Sequence, residues 1–247
     1  MPCSPRSIRP SVPIVIATRR LLPDGPKNET RLARVEGHIV RAPRFEGGLY
    51  RGLVELQPPD PPLSDGVVTL RQWTLDDVPA IAAACADQEI ARWIHQLPSP
   101  YRESDAREYV LSTEAAWRDC LGAFFAVVEH ASGAVVGSAS GAVVGSIAMH
   151  VLDRELANVE VGYWTAAPAR GRGLTTRAVR LLSGWAVDEA GAKRVQLRAD
   201  VLNGASLRVA EKAGFTREGT LRASGFNNRE NRRVDYAVFS LLPGEGS

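Results

Sequence analysis

The sequence predicts an α/β domain built on one mixed sheet, preceded by a poorly structured N-terminal extension. Apolar and polar residues alternate in several short stretches, which is typical of strands. Amphipathic stretches with helix-start and helix-stop signals lie between them, and this mixture favours a single sheet covered by helices. The extension is indicated by proline, since eleven of the sixteen prolines fall in residues 1–64.

Residues 1–65 are predicted to be a Pro/Arg-rich extension and linker, largely disordered. The stretch 57–65 has four prolines, which remove backbone donors and disfavour a helix. Residues 1–64 carry ten Lys/Arg and six Asp/Glu, while the remainder carries twenty and twenty-two. The body of the chain is therefore not expected to bind nucleic acid. An arginine-rich arm that touches RNA, and an overlong reading frame, are alternative interpretations of residues 1–64.

The folded domain is expected over residues 66–242, with a tail at 243–247. Thr74 is a helix N-cap followed by two carboxylates in the first turn. The elements predicted in the first half are a strand at 67–71, a helix from Thr74 to Cys85, a helix at 103–120 and a strand at 123–130.

An eight-residue segment is repeated in tandem at 132–139 and 140–147. The repeat is too short for a solenoid unit. Because side chains alternate faces along a strand, an insertion of eight residues leaves the following residues on their original faces. We expect one copy to begin the strand that ends near Val151. The other copy is expected either to lengthen the hairpin or to form a loop outside the sheet.

The second half predicts alternating strands and helices. The elements are a strand at 159–164, a helix at 174–190 stopped by Gly191, a strand at 195–201, a helix at 203–213 stopped by Gly214 and a strand at 234–241. The loop Pro168–Thr176 follows the first of these strands and opens a helix, so its unpaired N–H groups suit a pyrophosphate. It matches neither a Walker A loop nor G-x-G-x-x-G, and by itself it is compatible with an ordinary connection.

In its wider context this loop resembles the acyl-CoA motif of the GNAT superfamily of N-acetyltransferases. The similar stretch runs from Glu160 to Ala178. Its core pattern, Gln/Arg-x-x-Gly-x-Gly/Ala, is matched by Arg170, Gly173 and Thr175, although Thr175 is larger than the usual residue. A second signature at 203–206, 211–215 and 218–222 is similar to the Rim-type branch, which acetylates ribosomal-protein N termini. The resemblance covers about residues 66–242.

The resemblance implies a mostly antiparallel sheet with helices on both faces and two central strands, 158–165 and 193–201, that splay apart. It also implies acetyl-CoA as a co-substrate. The residues expected to bind it are Tyr163, Trp164, Thr165 and Asn203 along the pantetheine arm, and Arg170, Gly171, Arg172, Gly173, Leu174 and Thr175 at the pyrophosphate.

The resemblance further implies two catalytic residues. Glu160 would accept the proton of the amine, directly or through water, and Ser206 would supply a proton to the leaving thiolate. Many relatives use a tyrosine on the helix after the Asn, but Ala210 stands at that position. Tyr236 is a weaker candidate for this proton. The structural alternatives are a solvated strand carboxylate for Glu160 and a backbone-bonded first-turn serine for Ser206.

These features predict an enzyme that moves an acetyl group from acetyl-CoA to a primary amine, with a peptide or protein N terminus favoured. The alternatives are a small amine such as an aminoglycoside or polyamine, a succinyl-CoA donor, or an acyl-CoA sensor without turnover. Acceptor selectivity is expected in loops around 93–101, the repeat and 224–232.

No metal is expected, because the Cys and His residues have no ligand spacing. The cysteines are Cys3, Cys85 and Cys120, and the histidines, expected to be structural or on the surface, are His38, His95, His130 and His150. The apolar runs are too short to span a bilayer, and few, widely spaced cysteines favour a cytoplasmic location. A monomer and a homodimer are both compatible with the sequence.

Overall fold

The computed structural model describes residues 32–35, 38–41, 56–130 and 141–245. Within the expected extension, strands β1 (Leu32–Val35) and β2 (His38–Arg41) form a separate antiparallel pair. The rest of residues 1–55 lies outside the described part of the chain.

Eight strands of the described chain form one sheet. They are β3 (Leu63–Ser64), β4 (Val68–Arg71), β5 (Gly122–Glu129), β6 (Ala142–Asp153), β7 (Asn158–Thr165), β8 (Arg194–Asp200), β9 (Thr216–Asn227) and β10 (Arg232–Leu241). Their spatial order is β3-β4-β5-β6-β7-β8-β10-β9. Neighbours are antiparallel except β7 and β8, which are parallel. The predicted mixed, mostly antiparallel sheet is confirmed.

Five helices of the described chain cover this sheet. They are α1 (Val78–Cys85), α2 (Gln88–Trp93), α3 (Glu103–Arg118), α4 (Leu174–Asp188) and α5 (Gly204–Lys212). Two buried clusters lie on opposite faces. One packs α4 against apolar residues such as Val159, Val161 and Leu197, and the other packs α1 and α3 against residues such as Phe124 and Trp164. The central strands therefore divide their side chains between two layers of helices.

The start of the sheet differs from the predicted start at Gly66. β3 pairs with β4 within the stretch predicted to be a linker, and Leu56 is 3% exposed within the larger buried cluster. Asp65 also accepts backbone hydrogen bonds from Val67 and Val68. The sequence does not reveal this edge strand, because prolines surround it and two residues are too few to show an alternation of apolar and polar side chains.

The second copy of the repeat enters the sheet. β6 begins at Ala142, and its residues Ile147 and Met149 are fully buried. The first copy, 132–139, lies outside the described residues. The prediction that one copy begins the strand ending near Val151 is confirmed for the second copy.

The central strands β7 and β8 diverge along their length. They pair only at Asn158 with Arg194, Val159 with Val195 and Glu160 with Gln196. Beyond these positions β7 continues to pair with β6, while β8 continues to pair with β10. A gap therefore opens in the middle of the sheet, as expected for strands 158–165 and 193–201.

Candidate active site

The gap between β7 and β8 leads into two adjoining cavities. The larger, of about 310 Å³, lies beside the loop before α4 and the start of α5. The smaller, of about 100 Å³, lies between the diverging strands and the turn after α2. Five residues line both cavities: Trp93, Ile94, Tyr163, Asn203 and Ser206. A reacting group can therefore reach these residues from either side.

The loop before α4 has bare backbone donors. Gly171 (φ 74°) and Gly173 (φ 79°) adopt left-handed conformations, and a Cβ at either position would meet open space. Gly173 is the N-cap of α4, and no side chain caps the helix. The N–H groups of residues 171–175 donate no hydrogen bond to another described residue. Because these N–H groups lie at the positive end of a 15-residue helix, the loop fits a pyrophosphate.

Arginines around this loop are paired with carboxylates from distant parts of the chain. Arg170 pairs with Asp87, the N-cap of α2, and Arg172 pairs with Glu129 at the end of β5. Arg170 also donates from Nε to the carbonyl of Thr165 at 3.2 Å. These contacts join the loop to the start of α2 and to the ends of β5 and β7. Of the residues expected at the pyrophosphate, Arg170, Gly171, Gly173 and Thr175 line the larger cavity, whereas Arg172 and Leu174 do not.

The expected pantetheine-binding residues lie together along the larger cavity. Tyr163, Trp164 and Thr165 line it from β7, and Asn203 lines it from the start of α5. The Thr165 hydroxyl lies 2.6 Å from the Thr175 hydroxyl, which joins the end of β7 to the first turn of α4. The indole of Trp164 is buried and stacks near Trp73, so the backbone of this residue, rather than its side chain, faces the cavity.

Ser206 and Tyr163 form a pair of hydroxyl groups at the junction of the two cavities. Their oxygen atoms are 2.8 Å apart. Asn203 caps α5 by accepting a hydrogen bond from the backbone N–H of Ser206 at 3.1 Å. Burial raises the pKa of Tyr163 to about 12, so its hydroxyl keeps its proton at neutral pH. Position 210 is a fully buried alanine, so α5 has no side-chain hydroxyl group at that position.

Glu160 is buried and already paired. It is 1% exposed, and its two carboxylate oxygens accept from Arg198 at 2.8 and 3.1 Å. Gln196 donates a further hydrogen bond at 2.9 Å. Glu160 does not line either of the two cavities. Since side chains alternate along β7, Glu160 also points to the opposite face from Tyr163. The structure thus brings Ser206 together with residues expected to bind the cofactor, and Glu160 lines neither cavity with them.

The smaller cavity contains groups that the sequence analysis did not select as site residues. Arg198 and Asp200 line it from β8, and His95 lines it from the turn after α2. Asp200 is paired with Arg232 at 2.5 Å. Tyr236 also lines this cavity, and burial raises its pKa. No motif distinguishes His95, because its position depends on how α2 packs over the gap.

The acceptor loops predicted from the sequence are partly replaced by regular structure. Residues 224–227 belong to β9, and Arg232 begins β10, so only 228–231 form the connecting turn. From these stretches Trp93, Ile94, His95, Gln96 and Asn227 line the smaller cavity. The described part of the repeat does not line it.

Within the described residues, no group of three or more His, Cys, Asp or Glu is arranged to hold a metal ion. In the same part of the chain, no helix has the length and apolar character needed to cross a bilayer.

Residues 68–216 match the family model described as an acetyltransferase (GNAT) domain. A Bacillus subtilis protein named "Putative ribosomal N-acetyltransferase YdaF" is 36% identical over 99 residues, which are 40% of this chain and 53% of that protein. The chain therefore spans about half the length of that relative. A Bacillus licheniformis protein named "Uncharacterized N-acetyltransferase p20" is 22% identical over 180 residues, which are 72% of this chain and 94% of that protein.

Solved structures share the fold. RimJ of Mycobacterium smegmatis, in complex with CoA-disulfide, has a TM-score of 0.63 at 20% identity, covering 74% of this chain and 86% of that one. The ribosomal-protein-S5-alanine acetyltransferase of Vibrio fischeri has a TM-score of 0.62 at 17% identity, covering 75% and 98%. At these identities the similarity establishes the architecture.

Proposed function

The chain belongs to the GNAT acetyltransferase family, and on this basis we propose that it transfers an acetyl group from acetyl-CoA to the N-terminal amine of a peptide or protein. The observation that carries the proposal is the gap between β7 and β8. Bare N–H groups line one end of it, and a pair of hydroxyl groups lies where its two cavities meet.

Acetyl-CoA fits the larger cavity as the co-substrate. The N–H groups of residues 171–175 and the Arg170 and Arg172 guanidinium groups would bind its phosphates. The backbone of residues 163–165 and the side-chain amide of Asn203 would bind the pantetheine arm. The thioester would then lie near Ser206, which lines both cavities.

Ser206 would supply the proton that the leaving thiolate takes up. Its hydroxyl is bonded to that of Tyr163, so the proton given to sulfur can be replaced along this bond. This arrangement compensates for Ala210, where many relatives have a tyrosine.

Proton chemistry favours an N-terminal amine as the acceptor. An α-amino group with a pKa of about 8 is roughly 10% neutral at pH 7, whereas a lysine with a pKa of about 10.4 is only about 0.04% neutral. Deprotonation at pH 7 therefore costs about 1.4 kcal/mol for the first and about 4.6 kcal/mol for the second.

The charges of the smaller cavity support the same class of acceptor. The carboxylate that lines it, Asp200, is paired with Arg232, and the lining arginines Arg92 and Arg198 are paired with Glu230 and Glu160. A polycationic acceptor such as an aminoglycoside needs unpaired acidic groups, and this cavity offers none among the described residues. The names of the Vibrio and Bacillus proteins, which refer to ribosomal proteins, also support a protein N terminus.

A sensor that binds acyl-CoA without turnover is the second candidate, and the state of Glu160 favours it. The base role for Glu160 requires its ion pair with Arg198 to open, because Arg198 and Gln196 occupy its carboxylate oxygens. If no other group accepts the proton of the amine, the site binds coenzyme without transfer.

A thiol-release assay tests the proposal. Acetyl-CoA is supplied with peptides that begin with Ala or Ser, a peptide with a blocked N terminus and an internal lysine, spermidine and an aminoglycoside. We expect turnover with the free N-terminal peptides and a kcat at least tenfold lower in Ser206→Ala. Undiminished activity in Glu160→Gln would contradict its role as base. Coenzyme binding without turnover on any amine would favour the sensor.

A further inference from the structure

The smaller cavity must contain a proton acceptor if the proposed amine acetylation takes place there, and this inference rests on that function. Of the residues that line the cavity, four have side chains that titrate and can accept a proton: His95, Tyr163, Asp200 and Tyr236. Their contacts distinguish them sharply.

Asp200 is committed to other groups. Its Oδ2 pairs with Arg232 at 2.5 Å, and its Oδ1 accepts from the backbone N–H of Leu202 at 2.9 Å. It is 8% exposed. One oxygen thus holds the turn after β8 and the other joins β8 to the start of β10, so neither is left to accept the proton of the amine.

The two tyrosines are suited to donate a proton. Burial raises the pKa of Tyr163 to about 12, and burial also raises the pKa of Tyr236. Both phenols therefore keep their protons near neutral pH. Tyr163 is in addition bonded to Ser206 on the side of the leaving thiolate.

His95 differs from these groups in having a free ring. Neither ring nitrogen makes a hydrogen bond to another described residue, and the side chain is half-buried. The turn that carries it is anchored at both ends, since Asn227 donates to the carbonyl of Arg92 at 3.1 Å and Arg229 donates to that of Leu97 at 2.5 Å. Other residues therefore fix the turn, and the imidazole of His95 lies at the cavity with both ring nitrogens available.

The surroundings of His95 keep it neutral. Burial lowers the pKa of His95, and the positive charges of Arg229 and Arg232 lower it further, while Asp200 opposes them. Two other charged groups line the same cavity, Arg92 on α2 and Arg198 on β8. An imidazole in this setting is unprotonated near neutral pH and can accept a proton.

We propose that His95, rather than Glu160, accepts the proton released by the acceptor amine. The neutral amine nitrogen forms a bond to the thioester carbonyl carbon, and the carbon–sulfur bond breaks. The proton lost by nitrogen goes to a ring nitrogen of His95 and then to water. The sulfur takes a proton from the Ser206 hydroxyl, which recovers one from water through Tyr163.

The two proton transfers then use side chains from different elements around the same cavity. Residues on either side of His95, including Ile90 and Leu97, pack in the buried cluster of α1 and α3. Tyr163, hydrogen-bonded to Ser206 of α5, packs with the cluster of α4. The group that accepts the proton of the amine is therefore supported separately from the pair that donates a proton to the thiolate.

The test compares acetylation of a peptide with N-terminal alanine by the wild type, His95→Gln, His95→Ala and the control Gln88→Ala. Gln88 is exposed on α2, lines neither cavity and does not titrate. We expect kcat/KM to fall about 100-fold or more in both His95 variants and less than threefold in the control. The acetyl-CoA Kd should stay within twofold, because His95 does not line the larger cavity. Added imidazole should restore part of the activity of His95→Ala alone.

The pH dependence gives an independent readout. His95 must be neutral to act and its pKa is lowered, so the wild type should lose further kcat/KM only at a pH below the ordinary imidazole value of about 6.5. This loss is additional to any loss from protonation of the amine. His95→Gln should lack this additional loss. A wild type that acetylates the peptide while His95→Gln keeps more than half its activity would overturn the assignment and leave the function intact. Equal losses in His95→Ala and Gln88→Ala without imidazole rescue would overturn it too. A wild type inactive on every amine would overturn both.

Discussion

Tyr163 contributes a hydroxyl group to the candidate site from strand β7. In many relatives, the corresponding hydroxyl group comes from a tyrosine on the helix after the Asn. Ala210 removes the usual hydroxyl from α5, and the phenol of Tyr163 reaches Ser206 from β7 instead. The pair shares one hydrogen bond at the junction of both cavities. Its members should therefore act as a unit.

Replacement of Tyr163 by Phe tests this unit. We expect kcat to fall about tenfold or more while the acetyl-CoA Kd changes little, because the change removes only a hydroxyl. The double variant with Ser206→Ala should be no slower than the slower single variant. Additive losses in steady-state kinetics would show that the two hydroxyls act separately.

At the scale of single residues, the sequence predicts what lies within continuous motifs. Asn203 and Ser206 are three residues apart at the start of α5, and the Ser206 N–H donates a hydrogen bond to the Asn203 side chain, as this spacing predicts. The ion pair of Glu160 was not predictable, since Arg198 is 38 residues away and faces it only because β8 pairs with β7. The position of His95 was equally hidden, because it depends on the packing of α2.

The start of α4 is the element that we expect to bind the phosphates of the coenzyme. Gly173 has a φ of 79°, a region where a Cβ is unfavourable. Gly184 lies in the middle of the same helix and a Cβ there would meet nothing within 4 Å. Substitutions at these two glycines therefore test the loop and the body of the helix independently.

We expect Gly173→Ala to raise the acetyl-CoA Kd about five- to tenfold, because strain of about 1–2 kcal/mol shifts the N–H groups that bind phosphate. Gly184→Ala should leave the Kd unchanged and stabilise the protein by up to about 1 kcal/mol. Calorimetric titration and thermal unfolding measure the two effects. Equal Kd values in the two variants would contradict the role of the loop.

Among the elements, those with apolar periodicity were predictable, whereas others, such as α2 and β9, were not. α2 has six residues, too few to show a helical repeat. β9 is exposed along nearly its whole length, so it lacks the alternation that identifies a half-buried strand. Its pairing with β10, rather than its own composition, makes it a strand.

At the scale of the whole molecule, the folded domain includes residues before Gly66. Leu56 is buried, β3 pairs with β4, and Asp65 pairs with Arg177 of α4 at 2.7 Å. Composition alone assigned these residues to a linker because prolines surround them.

A truncation series tests this boundary. A chain that begins at Leu56 should be more stable than one that begins at Gly66 by about 2–4 kcal/mol, mainly because the shorter chain loses a buried leucine. Denaturant unfolding of the two chains measures the difference. Leu56→Ala in the longer chain is the matched variant and should account for most of it. Identical midpoints in both truncations would place the boundary back at Gly66.

The divergence of β7 and β8 has a consequence for the sheet as an assembly. Backbone pairing joins its two halves, β3–β7 and β8–β10–β9, at three positions only, and the clasp of Glu160, Gln196 and Arg198 closes the last of them. Beyond that last pair, the backbone N–H and C=O groups on the facing edges of β7 and β8 do not pair with each other. A ligand with its own amide groups can form hydrogen bonds with these edges, so the pantetheine arm of the coenzyme would bind where a further strand would otherwise lie.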